Sequence, residues 1–592
     1  MASSMLHPSG PEIRTLPDVL RLRDATEPDT TAYVFLRDGE QPEETLTFRQ
    51  LHDAATTRAA RFAALGLAGQ RAVLLYPSGL EFIRTLLGCM FARVAGAPMQ
   101  VPRRRDGLAR LRRIADDART STVLTTTAVK TDLESRFGDA AELAGLTLVA
   151  TDDAASAPPP PPDWGAIAPG PDDIALLQYT SGSTGDPKGV VVTHRHFLHN
   201  ARETDELWPF APDGKVVNWL PLFHDMGMLF GVVLPLWAGV PSFLMAPESF
   251  IRRPARWLEA IARFGGTHSA APSFAYELCV RAAAEGAAGA VGDLSRWRVA
   301  ANGAEPVRWG TLTSFVEAFA PYGFSAEAMC PGFGLAENTL KVTGSSQHRP
   351  PKVLWVDPGA LADGVVTLVD GQGSDPVPAV SCGATVPSTT VRIVDPTSRA
   401  QCPPGQVGEI WVSGPCVAGG YWGRHELSEE TFRARLLDDP HIPHLRTGDL
   451  GFLHDGELYV TGRLKDVIIR KGRNHYPQDI EESAEQAVTG LHPNCAAAFS
   501  VDDGTSERLV VLIEVDGRVL RSPGLAAARD LVRAAIWEKH RLEADEILML
   551  RRGALSKTSS GKVQRRACRR RYEEGTLVAL PVNGVPTTGA DR

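Results

Sequence analysis

The chain has 592 residues, of which 43% are hydrophobic and 22% charged, an ordinary globular composition with ample material for a large core. Its 62 basic and 70 acidic residues give a formal charge of −8, so nothing in the overall charge draws it toward nucleic acid. The eight cysteines show neither a Cys-x-x-Cys pair nor metal-ligand spacing, and they read as reduced thiols of a cytoplasmic protein.

In chain order, Met1 to Arg14 lacks the apolar core of a signal peptide. Thr47 caps an expected helix through Leu65, with Leu51, Ala54, Ala55, Ala59 and Phe62 on its apolar face. Ala72 to Tyr76 reads as a buried strand, and Ser78 opens a helix to about Arg93. Such alternation argues for a mostly parallel sheet covered by helices. The arginines between 103 and 113, and again between 565 and 571, read as solvated helix faces; the second cluster also suits an acidic protein partner. Asp152 to Pro171, with five consecutive prolines, is an extended linker.

Residues 179–189 follow, reading Tyr-Thr-Ser-Gly-Ser-Thr-Gly-Asp-Pro-Lys-Gly. Glycines let the backbone approach an anion, hydroxyls donate to it, and Lys188 adds a mobile positive charge. No Walker A spacing fits, and the flanking apolar runs predict strand–loop–strand, so loop amides and side chains must hold the phosphate. By itself such a loop reads more readily as a flexible connector. Met226 to Ala246 is long enough for a membrane span, but its prolines and glycines and the preceding His224-Asp225 favour buried core. Val380 to Val412 reads as short antiparallel strands, and Gly451 to Tyr459 as a hairpin around Asp455-Gly456. Residues 463–575 form a separate small domain, and the tail from Thr576 is expected to be disordered.

Four further segments accompany the loop: Phe333-Gly334-Leu335-Ala336-Glu337, Thr447-Gly448-Asp449, Gly462-Arg463-Leu464-Lys465-Asp466, and Leu555 through Gly561-Lys562. Their order and separation resemble the adenylate-forming superfamily over residues 30–575. Within it, Trp219 through His224-Asp225-Met226-Gly227 and Asn302-Gly303-Ala304-Glu305-Pro306 resemble the fatty acyl-AMP ligases. So does an extra stretch at about 343–379.

The resemblance implies an α/β fold: a large N-terminal domain, residues 1–462, of layered βα subdomains plus a small β-rich subdomain, and a small mobile α+β domain, 463–575. It also implies ATP and Mg²⁺ as cofactors, a fatty acid substrate, and a separate acyl carrier protein whose phosphopantetheine thiol accepts the acyl group. No carrier segment, nucleic-acid partner or membrane span is expected. Lys562 would bridge the carboxylate and the α-phosphate. Thr180, Ser181, Gly182, Ser183, Thr184, Gly185 and Lys188 would hold phosphate, with Thr184 and Glu337 on the metal. Asn302, Gly303, Ala304, Phe333, Gly334, Leu335 and Ala336 would also bind ATP or AMP, the first three and Phe333 on the adenine side. Asp449 would accept from the ribose, and Arg463 would donate nearby or serve as an interdomain salt bridge. Lys465 matches the hinge position or is plain surface, and His224 would sit at the mouth of the acyl tunnel as a core or gating histidine rather than a general base.

Two departures stand out: Phe333 replaces a common Tyr, and Ser556 replaces a frequent Pro, which should loosen the approach of the lysine loop. The insertion is expected to pack on the large domain and to disfavour CoA as acceptor. An acyl-CoA synthetase and an inactive nucleotide- or lipid-binding scaffold are the rival readings.

Overall fold

The computed structural model describes residues 13–153, 168–180, 187–286, 291–370, 376–470, 473–502, 507–558 and 561–581. The βα alternation read from the N-terminal sequence holds. Thr47 caps the helix Phe48–Ala64 through a capping box with Gln50, and Phe48, Leu51, Ala55, Ala59 and Phe62 face the core. The next helix, Leu80–Phe91, starts from Gly79 rather than Ser78, because the extended Gly79 backbone, at φ +154°, is one that only glycine adopts readily.

Two large sheets result. One runs edge to edge as Thr147–Ala150, Thr122–Thr125, Arg71–Leu75, Ala95–Met99, Ile174–Thr180 and Lys188–Thr193, parallel except for the final antiparallel pair. The other runs Lys341–Gly344, Met329–Gly334, Val299–Asn302, His268–Ala271, Val216–Asn218, Ser242–Leu244, Thr31–Arg37 and Gln41–Thr47, parallel inside with an antiparallel strand at each end. Trp257, fully buried, makes edge contacts with Tyr276 and Trp297 at 5.4 and 5.2 Å beneath this sheet. Aromatic clusters of this kind stiffen the strands whose C-terminal ends open onto the site.

The apolar run after His224 is core, as expected. It forms the helix Asp225–Met228, a π-helical turn at Leu229–Val233, and the helix Leu234–Ala238, nearly all buried. Among the described residues no helix is long and apolar enough to cross a membrane. The strands Thr390–Val394, Gly408–Ser413, Leu445–His454 and Glu457–Arg463 form the antiparallel sheet expected there. Asp455 and Gly456, both at positive φ, turn its last hairpin.

Beyond Arg463, the strands Ala496–Asp502, Glu507–Val515 and Glu546–Arg551 carry the helices Pro477–Gln486, Leu525–His540 and Arg565–Glu573. They enclose a core of their own around Ile480, Val511, Val532 and Met549. Two expectations need correction here. The start of the tail is ordered: Leu580 N–H donates to the Met549 carbonyl at 2.7 Å and Leu577 is buried, because apolar residues there complete the sheet edge. And Arg565 is not solvated, since both its guanidinium arms grip the buried Glu481 carboxylate at 2.6 and 2.7 Å.

The stretch 343–379 carries the hairpin of Val353–Val356 and Val377–Val380 and the short helix Pro358–Ala362. It packs on the large domain, and it also reaches further. Val356 and Leu361 share an apolar cluster with Leu450, Leu464, Val467 and Tyr476, on both sides of Lys465.

Candidate active site

The phosphate loop is framed by an antiparallel pair in which Thr180 faces Lys188 and Tyr179 faces Gly189. The predicted residues Ser181, Gly182, Ser183, Thr184 and Gly185 lie outside the described residues. The base of the hairpin is clamped from two sides. Tyr179 hydroxyl donates to Asp117 at 2.8 Å, and Arg424 donates to the other Asp117 oxygen at 2.8 Å and to the Pro187 carbonyl at 3.3 Å. The Lys188 ammonium lies 5.2 Å from the Tyr421 ring centroid. Burial lowers its pKa; Glu337 opposes that, while Lys465, Arg424 and Arg566 reinforce it.

Glu337 follows the Phe333-Gly334 strand end on a strained turn. Gly334 is required, because a Cβ there would lie 2.3 Å from the Leu340 carbonyl oxygen. Thr339, just beyond, sits at φ +65°, which a β-branched residue rarely tolerates. The turn aims Glu337 at Tyr421, whose hydroxyl donates to it at 2.7 Å. Burial raises the Glu337 carboxyl, with Tyr421 and Arg463 opposing. The adenine-side loop begins at the end of a buried strand with Asn302. A Cβ on Gly303 would meet the Gly332 carbonyl at 2.8 Å, and Ala304 is held at φ +70°.

Asp449 and Arg463 are paired across the antiparallel register at 3.0 Å. Asp449, first among several groups, raises the Arg463 pKa further. The turn that presents Asp449 is set from beneath by Glu409, which is 2% exposed. Its carboxylate pairs with Arg446 at 2.9 Å and accepts from the Trp411 indole at 2.9 Å and the Gly448 amide at 3.2 Å. Gly448 takes φ +72° to make that turn. Lys465, exposed, follows the strand and offers its carbonyl to Arg566 at 3.3 Å.

His224 Nδ1 and Asp225 Oδ1 meet at 2.6 Å, and the Met226 N–H donates to the same Asp225 oxygen at 2.7 Å and lies 3.4 Å from Nδ1. Burial alone would raise the Asp225 carboxyl. His224, Lys562 and the Met226 amide outweigh it and hold the group below the ordinary aspartate value. Lys562 arrives from the far side on a tight hairpin. Its carbonyl accepts from Thr558 N–H at 2.8 Å, and its own N–H donates to Thr558 Oγ1 at 3.1 Å. The Ser556 carbonyl accepts from Gln564 N–H at 2.9 Å and ties the closing strand. Burial lowers the Lys562 pKa, while Asp225 and Glu305 pull it back up.

One cavity of about 1870 Å³ gathers these groups. Lys188, His224, Asn302, Phe333, Glu337, Asp449, Arg463, Lys465 and Lys562 all line it, with Thr180, Gly303, Ala304, Gly334, Leu335 and Ala336. Apolar side chains, among them Trp208, Met226, Phe230, Leu340 and Val380, line it as well. Sequence reasoning missed Tyr421, Glu409 and the charge of Asp225. Asp225 was signalled by adjacency to His224. Tyr421 and Glu409 carried no signal, because Glu337 and Gly448, which they hold, lie 84 and 39 residues away.

The geometry is matched by similarity. The family model for AMP-binding enzymes covers residues 20–422, and a model for the AMP domain of Disco-interacting protein 2-like proteins covers 465–581. The chain is 40% identical to a medium-chain-fatty-acid–[acyl-carrier-protein] ligase, JamA, of Moorena producens, over 96% of this chain and 97% of that one. It is 36% identical to the long-chain-fatty-acid–AMP ligase FadD26 of Mycobacterium tuberculosis, over 96% and 99%. The crystal structure of a fatty acid AMP ligase from Legionella pneumophila superposes with a TM-score of 0.73 at 34% identity, over 97% and 99%. The chain therefore belongs to the AMP-binding, adenylate-forming enzymes and, within them, to the fatty acyl-AMP ligases, ATP-dependent ligases by chemistry.

Proposed function

We propose that the protein activates a fatty acid with ATP to acyl-adenylate and pyrophosphate, then passes the acyl group to the phosphopantetheine thiol of a separate acyl carrier protein in the cytoplasm. The observation that carries this reading is the single cavity in which apolar side chains meet Lys562, Asp449, Arg463 and Lys188. A fatty carboxylate and the α-phosphate repel each other, and cationic donors placed where they meet offset that repulsion as charge develops. Lys562 bridges both anions. Lys188 takes the outer phosphates, Asp449 accepts from the ribose, Arg463 holds Asp449 and donates beside it, and Phe333 stacks on the adenine edge. His224, fixed by Asp225, closes the mouth of the acyl pocket. The carboxylic acid arrives ionised, so no base is needed there.

Glu337 suits Mg²⁺. It is a hard oxygen donor, raised by burial beside Asp225, and a bound cation would relieve that strain. Among the described residues no cluster of three or more His, Cys, Asp or Glu offers a full protein cage, which fits a cation held mainly by phosphate and water. When bound, Mg²⁺ would neutralise charge on the phosphates; Thr184, its second expected ligand, lies outside the described residues.

After adenylation the domain 463–575 turns about Lys465 to admit the carrier thiol. The stretch 343–379 touches both sides of that hinge, which supports carrier protein over CoA as acceptor. Parallel incubations with ATP, fatty acid and either CoA or phosphopantetheinylated carrier test the choice. Carrier acylation is expected to dominate, and efficient acyl-CoA formation would overturn it.

A further inference from the structure

The lysine hairpin reaches the cavity from the small domain, so something must hold it there. One group of contacts between the domains gathers around the segment just after the adenine-side loop. Glu305 accepts from the Phe274 amide at 2.7 Å with one carboxylate oxygen and from the Asn494 side-chain amide at 3.2 Å with the other. Asn494 belongs to the small domain, in a loop where it holds φ +54°, a conformation asparagine tolerates better than most residues. Three residues beyond Glu305, Arg308 pairs with Glu485 of the small domain at 3.0 Å. The same Glu485 carboxylate accepts the amides of Cys495 and Ala496 at 2.8 and 3.1 Å, which fixes the loop that bears Asn494. Arg281 donates to the Leu491 carbonyl at the start of that loop. Finally, a Cβ on Gly561 would lie 3.5 Å from the Phe274 ring, so the turn preceding Lys562 rests on the residue whose amide Glu305 binds.

We propose that Glu305 is a positioning residue: it ties the nucleotide loop of the large domain to Asn494 of the small domain and thereby seats Lys562 at the nucleotide end of the cavity. The inference rests on the adenylating role of Lys562 and goes beyond it, by naming the latch that makes the two domains close in that pose. Glu305 also faces Lys562 with a negative charge, one of three carboxylates, with Asp225 and Asp449, that favour its ammonium form. Nucleotide loop and lysine hairpin are thus joined through one side chain. The latch contributes only to the domain arrangement in which Lys562 faces Asp225. Once the small domain turns away for transfer, Asn494 leaves Glu305 and the contact is lost.

The test uses the full-length protein and the variants Glu305→Ala, Glu305→Gln and Asn494→Ala, with melting temperature as the folding control. Adenylation is read as single-turnover acyl-adenylate formation, and transfer is read from supplied acyl-adenylate to carrier protein. Glu305→Ala is expected to lower the adenylation rate by about tenfold or more with KM for ATP within about twofold. Glu305→Gln, which keeps an acceptor for Phe274, should recover part of that loss, and Asn494→Ala should show a smaller fall. Transfer should be unchanged in all three. Limited trypsin cleavage at Arg463 and Lys465, measured without substrates, should accelerate in Glu305→Ala and Asn494→Ala, whatever the enzyme's activity proves to be. Equal losses in both half-reactions, a change confined to KM for ATP, or unaltered cleavage at the hinge would overturn the latch. Wild-type protein that forms no adenylate would instead overturn the functional reading, and the cleavage result would still decide the latch.

Discussion

Two hairpins line the cavity, and they are built differently. The pair around the phosphate loop, Ile174–Thr180 with Lys188–Thr193, is an edge of a six-stranded sheet, with Tyr179, Asp117 and Arg424 bracing its base. The lysine hairpin closes through a single bridge between Lys557 and Val563, with Thr558 capping the turn. The first cradle is fixed to its domain's core; the second is a short projection whose position depends on where its domain lies. The difference teaches which groups prepare the site permanently and which are delivered to it. On the proposed reading, phosphate and ribose binding belong to the fixed wall, and the charge that joins carboxylate to phosphate belongs to the moving one.

Mutations that separate the two walls break or sharpen this contrast. The largest effect is expected for Lys562→Ala, which should slow fatty-acid-dependent ATP–pyrophosphate exchange by about 10²-fold or more, the scale for one lost transition-state donor. Nucleotide affinity, measured by titration, should change little, because the fixed wall is intact. Asp449→Ala attacks that wall instead. It removes the ribose acceptor and leaves Arg463 without its partner at 3.0 Å, so KM for ATP should rise by about tenfold or more while the acyl specificity is kept. Asp225→Asn leaves His224 without its anionic partner and Lys562 with one fewer counter-charge; a fall of about tenfold in adenylation rate is expected.

A smaller effect concerns the small domain alone. Burial, with Glu482 adding to it, raises Asp479 from the ordinary aspartate value to about 7. The folded state thus favours the protonated acid. Its contribution to stability is full below about pH 4 and is lost as the pH rises through 7. Asp479→Asn should therefore melt higher than wild type at about pH 8, with the gap closing toward about pH 4; a constant gap across that window would contradict the assignment. The smallest effect is at the exposed pair of Arg473 and Asp363, 3.3 Å apart, where Asp363→Ala should cost no more than about 1 kcal/mol in denaturant unfolding. Leu361→Ala, which opens the buried cluster shared with Tyr476, should cost about 2 kcal/mol or more and so locate the insertion's grip in its apolar contacts.

The groups that carry charge or conformational freedom were legible in the sequence: the glycine turns, Glu337, Asp449, Arg463 and Lys562 stand in short motifs because one turn of backbone suffices to present each. The capping box at Thr47 and the Asp455-Gly456 hairpin were legible for the same local reason. What was hidden depends on contacts between distant segments. Tyr421 on Glu337, Glu409 beneath Gly448 and Arg565 on Glu481 are ordinary residues until folding brings their partners to them. The ordered start of the tail was missed because its pairing with Leu550 and Met549 requires a sheet edge that periodicity in the tail itself cannot reveal.

The most direct test of the account is mass spectrometry of the adenylates that the full-length protein forms from ATP and a mixed pool of fatty, aryl and amino acids in a single turnover. The account predicts fatty acyl-adenylate in amounts comparable to the enzyme, and almost none with Lys562→Ala. Adenylates drawn from the aryl or amino acids instead, or equal yields from the two proteins, would contradict it.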